Sequence, residues 1–159
     1  MKIELFFDGG CSPNPGEKYG SYEVIIDGKR KHLEPRLSLG YGTNNEAEFE
    51  ILIIALKRIA NYLERKGVAK NLVEIVMVTD STIVANRISG RNKKGVAAVK
   101  AAAACADFLG EVEEKVSAKK QAERKMAALQ LECLEVLDGF KSFEISWASR
   151  NLNVSKFGH

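Results

Sequence analysis

Around Gly40-Tyr41-Gly42 the hydrophobic period of this chain changes from two to that of a helix, which makes it a mixed α/β protein. Upstream, Ile3, Leu5 and Phe7 alternate with Lys2, Glu4, Phe6 and Asp8, the pattern of a strand. The segment GGCSPNPG at residues 9–16 is dense in glycine and proline and is expected to stop it. Residues 20–27 and 29–39 read as two further strands, joined by a tight hairpin turn at Asp27-Gly28. Downstream, Ala47, Ile51, Ile54, Ala55, Ile59 and Leu63 fall on one helical stripe, with Thr43 or Asn44 as the cap and Gly67 as the stop. The apolar run at residues 72–79 predicts a central strand covered on both faces. A short helix at 81–89, a basic loop at 90–95 and helix-forming residues from 96 to 137, divided near Gly110 and Ser117, come next. Residues 143–148 close the pattern as a strand, and 149–159 read as a short tail. The order β-β-β-α-β-α-α-β describes one sheet flanked by helices.

Composition narrows the class. A chain of 159 residues, 45% hydrophobic and 28% charged, suits one globular domain over residues 1–159. The longest apolar stretches, 51–56 and 101–106, are too short to cross a bilayer, so no membrane partner is expected. Glu4 and Asp8 interrupt any signal-peptide core. Three cysteines (Cys11, Cys105, Cys133) and two histidines, without a C-x-x-C spacing, argue against a disulfide scaffold or a zinc site and suit the cytoplasm. With 24 basic and 21 acidic residues the net charge is +3, too mild to identify a nucleic-acid partner by itself.

Three acids stand at element boundaries. Asp8 ends the first strand, Asp80 ends the apolar fourth strand, and Glu48 lies one turn into the long helix at the edge of its buried stripe. Each alone has an ordinary reading, as a turn residue, a helix cap or a solvated charge. Brought together, they would crowd negative charge that only protons or cations can neutralise. Such hard oxygen ligands favour Mg²⁺ or Mn²⁺ over zinc.

The segments DGGCSPNPG (8–16), TNNEAE (43–48) and VTDS (78–81) resemble the three signature segments of type 1 ribonuclease H, in the same order and on the same elements. The resemblance covers nearly the whole chain. It implies the ribonuclease H-like fold, a mixed five-stranded sheet with three antiparallel strands and then parallel ones, flanked by helices. It also implies an endonuclease, expected as a monomer, that cuts the RNA strand of RNA/DNA hybrids with two divalent metals. Asp8, Glu48 and Asp80 match the family's metal-holding catalytic carboxylates. One metal would lower the pKa of a water and the other would stabilise the leaving 3′-oxygen. Asn14, Asn44 and Asn45 match asparagines near the hybrid's minor groove, where an amide can meet an RNA 2′-hydroxyl. Gly9 and Gly10 would let substrate approach the backbone, and Thr43 and Arg150 complete the expected substrate contacts.

Two basic clusters, Arg91, Lys93, Lys94 and Lys100, then Lys115, Lys119, Lys120, Arg124 and Lys125, lie where family members protrude a basic helix and loop that grips DNA. Glu111, Glu113, Glu114 and Glu123, interleaved with them, equally describe a solvated helix face. Trp147 is assigned to core packing. The family pattern W-V-P-R-E-x-N-x-x-A-D carries a fourth acid, but this chain reads WASRNLNVSKF from Trp147: Arg150 and Asn153 fit, while Phe157 stands at the acid's position. Asn153, His159 or a terminal carboxylate could replace it as a metal ligand. Without a replacement, a weak enzyme or an inactive hybrid-binding module is the alternative.

Overall fold

The computed structural model describes residues 1–89 and 118–158. The basic loop at 90–95, the helical reading of 96–117, Arg91, Lys93, Lys94, Lys100, Lys115, Cys105 and His159 lie outside the described residues.

Three strands, β1 (Lys2–Cys11), β2 (Gly16–Ile26) and β3 (Lys29–Gly42), form the meander. Asp27 and Gly28 take φ of 47° and 77°, the two left-handed positions of a hairpin turn whose twist suits flanking strands. Helix α1 (Asn44–Arg65) follows, then a 3-10 turn (Lys70–Leu72), β4 (Glu74–Thr79), α2 (Thr82–Ser89), α3 (Ala118–Leu137), β5 (Ser142–Trp147) and α4 (Arg150–Phe157). The sheet order is β3-β2-β1-β4-β5. Pairing is antiparallel across β1, β2 and β3, and parallel from β1 to β4 and from β4 to β5, as the resemblance implies. No described helix is long and apolar enough to cross a membrane.

The odd positions of β1 explain the core. Ile3, Leu5 and Phe7 are fully buried, and their partners Ile26, Val24 and Tyr22 share that face. Against it lies the apolar stripe of α1, with Ile51, Leu52, Ala55, Leu56, Ile59 and Leu63 all buried. Each of the isoleucines and leucines contributes about 1.5–3 kcal/mol on burial. Cys133, Leu134 and Leu137 bring α3 onto the same core, and Lys57 pairs with Glu132 across the two helices. Cys11 and Cys133 are both buried free thiols.

Three expectations need correction. β1 does not end at Asp8: Gly9, Gly10 and Cys11 stay paired with Gly20, Tyr19 and Lys18 of β2. β4 is not covered equally on both faces, because Ile75, Met77 and Thr79 are buried while Glu74, Val76 and Val78 are only half-buried. The C-terminal residues are not a tail but the helix α4, closed by Gly158 at φ 78°. Its sequence has no strong apolar stripe, so what it packs against, not its own pattern, sustains it.

Candidate active site

The sheet brings the ends of β1 and β4 side by side, since Phe6 pairs with Val78 in parallel register. Asp8 lies two residues beyond Phe6 and Asp80 two beyond Val78, so both acids lie just past the point where the β1–β4 ladder ends, although β1 itself runs on to Cys11 beside β2. This is where open α/β sheets place their sites. The third acid arrives from α1. Gly9 makes that possible: a Cβ there would lie 2.6 Å from the Ala47 carbonyl and 2.7 Å from the Glu48 nitrogen. The glycine is therefore not a turn residue. It is the point at which helix and strand backbones touch.

The first turn of α1 is fixed from several sides. Thr43 is its N-cap and forms a capping box with Glu46, its hydroxyl accepting from the Glu46 amide at 3.3 Å. Buried Lys18 donates to Glu50 at 2.5 Å and stands 3.7 Å from Glu46, which also meets Lys125 at 3.2 Å. Asp80 is held from the other side. The Trp147 indole donates from Nε1 to the Asp80 carbonyl at 2.9 Å, and Ser81 caps α2 by accepting from the Val84 amide. Trp147 is 56% exposed, so its role is this hydrogen bond and not core packing. Sequence offered no signal for it, because nothing local links an edge-strand indole to a carbonyl 67 residues earlier.

As a result Asp8, Glu48 and Asp80 each offer a carboxylate oxygen, all within 4.8 Å of one another. Burial, then the Asp80 charge, push Asp8 up to about 7, with Arg150 and the Gly9 amide pulling the other way. Burial, followed by repulsion from Asp8 and Asp80, lifts Glu48 well above the ordinary glutamate value against the Gly9 amide. Glu48 Oε2 is buried without a hydrogen-bond partner. An orphaned carboxyl oxygen beside two further carboxyl groups fits a hard divalent cation, whose positive charge would favour their ionised forms.

Beside the acids lie the two asparagines of the glycine-rich and helix-cap segments. Asn44 Oδ1 accepts from the Cys11 backbone at 2.7 Å and from its thiol at 3.3 Å. Asn14 Oδ1 accepts from the same thiol at 3.4 Å and from the Asn44 backbone at 3.3 Å. Both carbonyl oxygens are thus engaged inward. Asn45 is half-buried in the same turn, and Gly10 lies where a Cβ would stand 3.6 Å from Asn44 Oδ1. Arg150 is exposed at the start of α4, and Asn153, one turn on, is 1% exposed with its Nδ2 unpaired. Phe157 is half-buried on that helix, so the acid cluster of the described residues has three members. Of the second basic cluster, Lys125 is engaged by Glu46, and the interleaved Glu123 pairs with Arg87.

A mixed sheet with a carboxylate cluster at the ends of its two central strands defines an α/β protein built around a cation-seeking acidic centre. The family profile named RNase H matches residues 1–146, and the chain belongs to that family. It is 38% identical over 90 residues to a ribonuclease H of Wigglesworthia glossinidia brevipalpis, covering 55% of this chain and 48% of that protein. It is 34% identical over 94 residues to one of Treponema denticola, covering 56% and 59%. The chain thus spans about half the length of the curated relatives it matches. Among solved structures, RNase H1 of Halobacterium salinarum superposes with a TM-score of 0.67 at 19% identity, over 99% of this chain and 92% of that one. LC11-RNase H1 in complex with an RNA/DNA hybrid superposes with a TM-score of 0.58 at 19% identity, over 97% and 90%.

Proposed function

We propose that this protein is an endoribonuclease that hydrolyses the RNA strand of RNA/DNA hybrids with divalent cations. The observation that carries the reading is the set of three carboxylates within 4.8 Å, with one buried oxygen left unpaired. A structure would not retain so repulsive a group for stability alone. Asp8, Glu48 and Asp80 would hold Mg²⁺ or Mn²⁺. When bound, such ions acidify an attacking water and stabilise the departing 3′-oxygen.

The chain's own contribution is orientation and charge. Glu48 is held still by the capped helix and the Gly9 contact, so its carboxylate needs little reorganisation. Asp8, near 7 when alone with its neighbours, gives up its proton when a cation takes that place. With both carbonyl oxygens turned inward, Asn14 and Asn44 offer NH₂ donors to acceptors in the minor groove, including the 2′-hydroxyl oxygen. Asn45 lies in the same turn, half-buried, and Thr43 serves it by capping the helix. Arg150 adds a cation that suits a phosphate. The LC11-RNase H1 complex supports the choice of a hybrid as the substrate class.

A second reading, a hybrid-binding module that cuts slowly or not at all, is favoured by Phe157 at the position of the fourth acid. Cleavage of a labelled RNA/DNA hybrid in Mg²⁺ and in Mn²⁺, beside duplex RNA, duplex DNA and an Asp8→Asn control, separates the two. Hybrid-only cutting that vanishes in the control supports the enzyme. Tight binding with intact RNA in both metals supports the module.

A further inference from the structure

The face of the sheet opposite α1 holds a buried charge that the site does not explain. Glu23 lies on β2 directly across from Phe6 and is 1% exposed. Its two oxygens have separate partners: Arg30 Nε donates to Oε1 at 2.5 Å, and Lys156 Nζ donates to Oε2 at 2.6 Å. Arg30 comes from the neighbouring strand β3. Lys156 comes from α4, 133 residues away in sequence, and its ammonium also sits 3.9 Å from the centroid of the Phe6 ring.

Phe6 and Asp8 are neighbours on this face of β1, because side chains two residues apart along a strand point the same way. On α4, Arg150, Asn153 and Lys156 recur every three residues and so form one stripe. Lys156 stands over Phe6, and Asn153 is buried one turn back. Arg150, a further turn back on a helix that packs against β1, carries the stripe along the strand toward Asp8. The helix is only eight residues long and its N-cap Ser149 makes no side-chain hydrogen bond. A helix this short does not hold itself in place.

We infer that Glu23 is a positioning residue, whose ion pair with Lys156 latches α4 across β1 and so sets Arg150 beside the acid cluster. The inference rests on the ribonuclease reading for the reaction it serves. It adds that an ion pair on the face of the sheet opposite α1, outside the carboxylate set, governs the rate. Helix α4 itself brings no acid to the cluster. With Phe157 in that position, no carboxylate of α4 can anchor it through a shared cation.

The test compares intact protein with Lys156→Met, Lys156→Arg, Arg150→Ala and the double variant Lys156→Met/Arg150→Ala. The readouts are kcat and KM on a labelled hybrid, together with amide hydrogen exchange across residues 150–158. Lys156→Met is expected to speed exchange in α4 and lower kcat/KM about tenfold, with Lys156→Arg near the parent value. Arg150→Ala is expected to lose about as much, and the double variant little more than either single one. Losses that multiply to about a hundredfold would mean that the pair does not act through Arg150, and would overturn the inference. So would unchanged turnover in a Lys156→Met protein whose α4 exchanges freely. Should Lys156→Met not fold, Glu23→Gln, which keeps a hydrogen-bonding side chain opposite Lys156, enters the same cycle. Absence of cleavage by the intact protein would instead overturn the ribonuclease reading, and the exchange data would still decide whether the latch holds the helix.

Discussion

Gly9→Ala is the most discriminating small change this structure suggests. The new methyl carbon would sit 2.6 Å from the Ala47 carbonyl carbon and oxygen, where ordinary van der Waals contact begins at 3.4 Å. The obstacle is backbone on both sides, so no side chain can swing away. The helix start must retreat by about 0.8 Å, against a first turn tied down by Lys18, Lys125 and the Thr43 cap. Overpacking of this kind costs about 1–3 kcal/mol. For a chain of this size that lowers Tm by about 5 °C. The kinetic consequence should be larger. Glu48 rides on the displaced turn, and a misplacement approaching 1 Å at a reacting centre costs about a hundredfold in rate. Thermal denaturation followed by circular dichroism, beside hybrid cleavage at saturating Mn²⁺, measures both. A variant that loses stability yet keeps its kcat would refute the claim that this helix-strand contact aligns the acids.

Without divalent cation, folding stability should fall as pH rises from about 4 to about 7. In that window folded Asp8 keeps a proton that the unfolded chain has released, since its pKa is raised from 3.8 to about 7, and Glu48 shifts in the same direction. Urea titrations at several pH values in EDTA check the sign, and a rise in stability across that window would contradict it. Adding Mn²⁺ at about pH 7.5 should raise Tm in the parent and much less in Asp8→Asn, as ligand linkage requires. Cys11→Ala should weaken the orientation of Asn14 and Asn44, raising KM for the hybrid several-fold with kcat nearly constant; steady-state kinetics decide it. Trp147→Phe removes the donor to the Asp80 carbonyl and should cost about 1 kcal/mol in chemical denaturation, with a fall in cleavage rate.

What was legible in the sequence, and what was not, follows from where each structural cause resides. The meander, the switch to helix and the apolar fourth strand are local, written in period and turn residues, and they appear in the order the sequence predicts, with bounds shifted by a few residues. The acids were legible because three motifs stand in one order, each tied to an element end. Gly9 is visible in the sequence but its use is not: a glycine pair late in a strand looks the same whether it admits substrate or a helix, and only the distant Ala47 decides. The helix α4 was hidden for the same reason on a larger scale. RNLNVSKF carries too few apolar residues to announce an amphipathic stripe, and its anchors are a glutamate and a phenylalanine far upstream. Conflict with stability marks the functional centre. Lys18 and Glu23 are buried with opposite charge at close range. Asp8 and Glu48 are buried where like charge raises the cost of ionising them, the kind of local inconsistency that a folded protein keeps where function requires it.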